Sequence, residues 1–220
     1  MAIPRRCWTK LSQLARNVKQ IFSLYQHCRQ TFCSQVPEGE SPLISRPFEY
    51  GVAVSYPFQA HNWQDTRFSR GDRYGVWYGS LEQETTIFET VYWVYKFISD
   101  SYSDYKNPII VERRLFKVRC DALLIDLRGQ EKTYPDLVNR SNYTFCQQLG
   151  AFLVDQGQNG LLVKSARCEG TNAAIFKQER LSNVIDVCYL KYNIKLDSRV
   201  ISIERIPGKI LFEVDINDIM

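Results

Sequence analysis

The second half of the chain is a succession of short apolar and β-branched runs separated by turns, and that pattern restricts the available folds more than any other feature. Strand composition recurs at residues 109–118, 121–127, Gly160–Val163, Ala173–Phe176 and Val184–Tyr189. Two alternating runs follow, RVISIERI and KILFEVDI, on either side of Pro207-Gly208, which is the arrangement of a β-hairpin. One helix fits among them, over residues 142–156, where Phe145, Leu149, Phe152 and Leu153 keep helical spacing before Gly157. Upstream, YGVAVSYPF at 50–58 and the aromatic stretch Tyr74–Gly79 read as strands. Residues 81–98 read as a helix capped by Ser80, with Glu82 and Glu84 near its positive end and Ile87, Val91, Val94, Tyr95 and Ile98 as a buried stripe. Strands dominate without regular βαβ alternation, so the expectation is an α+β fold built on a compact mixed or antiparallel sheet.

The N-terminus has a different character. Leu11, Leu14, Ala15, Val18, Ile21, Phe22 and Tyr25 follow the i, i+3, i+4 rule of an amphipathic helix, and SQVPEGESPLISRP then reads as a linker at about residues 34–47. This divides the chain into an N-terminal helix and linker, 1–46, and a domain, 47–220. The helix stripe suits packing on the domain or a homodimer contact. Seven Lys/Arg against two acids give residues 1–46 a charge of +5, while the remainder carries −1. A nearly neutral body argues against direct nucleic-acid binding, which needs many cations facing phosphates. The acid-free N-terminus also has the composition of a mitochondrial transit peptide, and an ordinary docking helix is the preferred reading. Seven irregularly spaced cysteines without a CxxC pair read as reduced thiols, with no metal site. No apolar window is long enough for a membrane span, so a cytoplasmic protein is expected.

Much of the usual catalytic repertoire is missing: no Walker A loop, GxGxxG, HExxH or GxSxG is present. Only His27 and His61 are available, which disfavours a histidine-based triad. What remains sits in two stretches, TRFSRGDRYGVWYGSLEQETTIFE from Thr66 to Glu89 and GLLVKSARCEGTN from Gly160 to Asn172. Arginine, tyrosine, serine and a carboxylate suit a reaction that needs charge stabilisation without a protein nucleophile. Cleavage of an N-glycosidic bond to a cationic base is such a reaction, because a carboxylate can stabilise the oxocarbenium-like ribose. The same residues also have plainer readings: Glu89 paired with Lys96 or Arg113, Tyr78 as sheet packing, Arg67 on a solvated loop and Ser165 as a turn cap.

The two stretches together resemble the RES domain, a family named for its Arg, Glu and Ser. Arg67-Phe68-Ser69 looks like the family's Gly-Arg-Trp-Asn element, Tyr78 like its strand-end tyrosine, and Glu89, eleven residues later, like its helix glutamate. GLLVKSAR is similar to its Gly-hydrophobic-Pro-Ser-Ala-Arg stretch, with Asn172 where an asparagine commonly follows. The chain departs in having Asp65-Thr66 before Arg67, Ser69 in place of Asn and Lys164 in place of Pro. The resemblance, over about residues 46–190, implies a fold akin to ADP-ribosyltransferases. It also implies a bacterial cytoplasmic toxin that degrades NAD by hydrolysis or phosphorolysis, held in check by an Xre-like antitoxin. NAD would then be a substrate, with inorganic phosphate as a second candidate, and no cofactor is implied. Carried over by position, Arg67 would hold the NAD phosphates, Tyr78 would pack on the nicotinamide or its ribose, and Glu89 would stabilise the ribosyl cation. Ser165 would bond the ribose or order its loop, and Asn172 would prop the site. Arg70 and Arg73 are extra cations for phosphate by proximity alone. Transfer of ADP-ribose to a macromolecule and a non-catalytic interaction module are the competing readings.

Overall fold

A computed structural model describes residues 25–37, 54–102 and 106–220. The helix expected from Leu11 onward lies outside them as far as residue 24. Among the described residues, eight strands form one sheet: β1 (Tyr25–Pro37), β2 (Trp77–Ser80), β3 (Ile109–Asp126), β4 (Gly160–Lys164), β5 (Thr171–Ile175), β6 (Leu181–Lys195), β7 (Val200–Ile206) and β8 (Lys209–Asp215). The long strand β3 is its spine. One edge of β3 carries β1, in register from Tyr25↔Ile125 to Pro37↔Arg113. The other carries β6 along the first two-thirds of β3, and β4 in parallel at Ile125↔Leu161. Antiparallel pairs β4–β5 and β5–β2, and a bridge from Ser80 of β2 back to Cys33 of β1, complete a circuit of pairings. The hairpin β7–β8 extends the sheet beyond β6, as its alternating sequence requires.

Among the described residues the α-helices are α1 (Gln83–Ser101), α2 (Thr144–Asp155) and the short α3 (Ile216–Ile219). The expected stripe of α1 is buried, and Tyr92 joins it. That stripe packs with Leu115, Leu190, Tyr192, Ile194, Ile201, Ile203 and Val214 from β3, β6, β7 and β8. Phe145, Cys146, Leu149 and Leu153 of α2 pack with Phe68, Val76, Leu161, Val163 and Ala174. The alternate residues Trp77, Phe116, Leu162, Ala173 and Ile175 face a third cluster on the other side of the strands. Each large apolar side chain buried this way contributes about 1.5–3 kcal/mol. Leu115 and Ile125 lie on the same face of β3, so both long helices cover one face of the sheet, α1 over β3 and β6–β8 and α2 over β4, β5 and the end of β3.

Several local readings need correction. Residues 25–37 form a strand where the end of the helix and the start of the linker were expected, so Ser34–Pro37 are paired with β3. The strand expected at 50–58 is helical over 54–58, where Pro57 has no N–H to give to a ladder. Ser80 ends β2 instead of capping α1, whose N-cap is Glu82. The Glu82 carboxylate accepts bonds from Thr85 Oγ1 (3.0 Å) and from the Thr171 backbone N–H (2.8 Å). The two strands expected at 109–118 and 121–127 are one continuous strand, β3. The α+β class itself is the observed one.

Candidate active site

Glu89 projects from α1 toward the ends of β4 and β5. Its Oε1 accepts hydrogen bonds from Ser165 Oγ and from Asn172 Nδ2, both at 2.6 Å. A carboxylate can only accept, so the Asn172 amide nitrogen must face it and Oδ1 must face away. Oδ1 there accepts the Ser80 hydroxyl at 2.8 Å. Ser80↔Asn172 is also a register pair of β2 and β5, so strand pairing itself delivers this contact. Among the described residues neither Lys96 nor Arg113 pairs with Glu89, and Oε2 has no hydrogen-bond partner.

Ser165 follows β4 and is only 3% exposed. Besides donating to Glu89, its oxygen accepts the backbone N–H of Arg167 (3.0 Å) and of Cys168 (3.3 Å). Its own N–H bonds Gly170 O at 2.8 Å, which folds 165–170 into a closed turn. The hydroxyl thus spends its proton on Glu89 and its lone pairs on the turn, and an attack by it on a substrate is unfavourable. Gly170 brings the turn against α1, since a Cβ there would lie 1.6 Å from Thr85 Oγ1.

The second half of the site is built from the loop before β2. Arg67 Nη1 donates to the carbonyls of Asn139 (2.8 Å) and Leu137 (3.3 Å), and its guanidinium carbon lies 4.7 Å from the centre of the Tyr143 ring. No acidic side chain among the described residues pairs with it. Tyr78 shares a face of β2 with Ser80, two residues on. Its hydroxyl accepts the Phe68 N–H at 2.9 Å and donates to Thr66 Oγ1 at 3.1 Å. Tyr78 therefore grips the residues on both sides of Arg67. Burial raises its phenol pKa well above the usual value of 10, although the Thr66 and Phe68 bonds and Arg67 oppose the shift, so the group stays neutral. From α2, Gln147 Nε2 donates to Thr66 O at 2.9 Å, and Gly150 lets the loop lie close, since a Cβ would stand 2.1 Å from Phe68 O.

Tyr143, at the N-cap of α2, joins the two halves. One face receives Arg67, and its hydroxyl accepts a bond from Arg167 Nη2 at 3.2 Å. Burial raises the Tyr143 phenol pKa, with the two arginines opposing. The structure thus brings Glu89, Ser165 and Asn172 into direct contact and links Arg67 to them through Tyr143 and Arg167, with Tyr78 opposite Ala174 on the neighbouring strand. It does not bring Arg73 there. Arg73 Nη2 pairs with Asp155 at 2.7 Å, at the far end of α2, about 18 Å from Tyr143 by helix rise. Arg70 is exposed on the same outer stretch, and His61 is exposed in a short 3-10 turn.

Ser80, Tyr143, Arg140 and a structural part for Arg167 are what sequence reasoning missed. Ser80 was visible only as a cap, and Arg167 only as the end of a motif. Tyr143 and Arg140 carry no sequence signal that separates them from a helix entry. No cluster of His, Cys, Asp or Glu suited to a metal occurs among the described residues.

A family model described as the RES domain matches residues 43–195. No curated protein matches the chain. Among solved structures, a chain in the crystal structure of the M. tuberculosis MbcT-MbcA toxin-antitoxin complex is similar at 14% identity with a TM-score of 0.51. The likeness covers 77% of this chain and 91% of that one, and at such identity it concerns the fold alone. The RES match spans every residue from Arg67 to Asn172 and well over half of the sequence, and on that basis the chain belongs to the RES domain family.

Proposed function

We propose that the protein is the toxin of a toxin-antitoxin pair and cleaves the bond between nicotinamide and ribose in NAD. The observation that carries this reading is the Glu89 carboxylate, with Oε1 fixed by two neutral donors and Oε2 left without a partner among the described residues. As the C1′–N bond lengthens, the pyridinium takes the bonding electron pair and leaves as neutral nicotinamide. Positive charge then develops on the ribose, where Oε2 of Glu89 stabilises it. Addition of phosphate to C1′ gives ADP-ribose 1″-phosphate, and addition of water gives ADP-ribose and a proton. Arg67 holds the substrate diphosphate with the guanidinium nitrogens that its carbonyl partners leave over. Membership of the RES family and the likeness to a chain of a toxin-antitoxin complex support an antitoxin partner, of the Xre-like kind that the family resemblance implies. Among the described residues no helix is long and apolar enough to cross a membrane.

The test is incubation of partner-free protein with NAD, with and without inorganic phosphate, followed by identification of the ribosyl product. Loss of NAD with release of nicotinamide is expected, and the product reports which acceptor is used. Adenine-labelled NAD that ends up on macromolecules would make the protein a transferase. NAD left intact by folded protein would defeat the reading.

A further inference from the structure

Residues 196–220 lie beyond the RES match, yet their last turn reaches the site from behind. Arg167, two residues after Ser165, is 4% exposed and has no carboxylate partner among the described residues. Its Nη1 donates to Ile219 O of α3 at 2.8 Å, and its Nη2 donates to Arg140 O at 2.7 Å as well as to Tyr143. The guanidinium carbon stands 3.5 Å from the centre of the Tyr92 ring. Arg140 repeats the pattern, donating from Nε to Ala166 O at 3.1 Å and from Nη1 to Met220 O. Two guanidinium groups thus meet the carbonyl end of α3, where the helix dipole is negative.

A four-residue helix has no stability of its own. Here Asp215 caps it, accepting the Asn217 N–H at 2.8 Å, and Ile216 and Ile219 are buried in the cluster under α1. A buried cation held only by neutral oxygens and a ring is costly for stability, the more so because Arg167 Nε is buried without a partner among the described residues. Its reach extends next door, because the Arg167 backbone N–H holds Ser165 Oγ and Arg167 Nη2 holds Tyr143.

We propose that α3 is a latch: through Arg167 and Arg140 it sets the Ser165 turn and the Tyr143 ring, and so aims Glu89 and Arg67. Arg167 is a positioning residue, and its part in turnover rests on the NAD-cleaving reading above. Three proteins test the latch: a chain shortened after Asp215, Arg167→Ala, and the two changes combined. Turnover of NAD is expected to fall about tenfold or more in each single variant, the size of one lost charge-assisted hydrogen bond, with no further fall when they are combined. Ethylguanidinium is expected to restore part of the turnover of Arg167→Ala and none of that of the shortened chain.

A second readout is independent of activity. Cys168 is half-buried in the Ser165 turn, and its alkylation rate, mapped by mass spectrometry, is expected to rise in all three variants. If the shortened chain does not fold, Asp215→Ala, which removes only the cap, takes its place. Losses that add in the combined protein, or a wild-type alkylation rate at Cys168 in Arg167→Ala, would overturn the latch. Wild-type protein that leaves NAD intact would defeat the functional reading alone, and the Cys168 rates would still decide whether α3 orders the turn.

Discussion

Arg67 and Arg73 leave the same loop six residues apart, and the two ends of α2 hold them in opposite ways. At the N-terminal end, Arg67 is steadied by two backbone carbonyls and the face of Tyr143. At the C-terminal end, Arg73 meets Asp155 in an ion pair with both side chains about half exposed. Neutral partners orient a charge without cancelling it, whereas an opposite charge removes most of its outward field. Glu89 is treated like Arg67, since serine and asparagine fix it and no cation among the described residues neutralises it. The site therefore keeps an oriented anion and an oriented cation for a ligand, whereas at the outer end of α2 the two charges are spent on each other.

The sharpest way to break this contrast is Glu89→Gln. The amide oxygen can still accept the Ser165 and Asn172 bonds, so the fold is expected to keep its Tm. Turnover of NAD, followed by nicotinamide release, is expected to fall by about 10²–10³-fold, the usual size of one lost electrostatic stabiliser. Arg67→Lys keeps the charge and loses the planar fork. KM for NAD should rise roughly tenfold or more while kcat moves less, which steady-state kinetics would resolve.

Tyr78→Phe is a smaller perturbation. It leaves the Phe68 N–H without its acceptor, and a loss of about 1–3 kcal/mol in denaturant unfolding is expected. Because burial raises the Tyr78 pKa above its unfolded value of 10, its contribution is complete below pH 10 and fades as the pH rises beyond it. The gap between wild type and variant should therefore be constant at neutral pH and narrow in alkali. Smallest of all is Arg73→Ala, expected to leave Tm and KM unchanged, as exposed ion pairs usually do. A rise in KM comparable to that of Arg67→Lys would place Arg73 in the site and erase the contrast.

How much of this was legible in the sequence depended on the range of the interaction concerned. The stripe of α1, the apolar positions of α2 and the β7–β8 hairpin rest on local periodicity, and they were found. β1 was not, because YQHCRQTFCSQVP has few β-branched residues and becomes a strand through its pairing along β3. Residues 54–58 have strand composition but contain Pro57, and the backbone there turns. Ser80 has an ideal capping composition, yet its partner is Asn172, 92 residues away. The contacts of Glu89 with Ser165 and Asn172 are equally non-local, and only the family resemblance put those residues on one list. Arg73 lies close to Arg67 along the chain, and such closeness says nothing about which end of α2 a side chain will meet.

The Glu89 network also bears on the order of synthesis. Its members are 76 and 83 residues apart, and Arg167 reaches a further 52 residues to Ile219. Contacts of such range, like the β2–β5 pairing that carries them, close slowly because a long loop must be ordered first. A nascent chain therefore has no assembled carboxylate centre until Asn172 has left the ribosome, and no latch until α3 has followed it. For an enzyme that would consume a cofactor of the cell producing it, that delay gives a partner protein time to reach the chain before the first turnover.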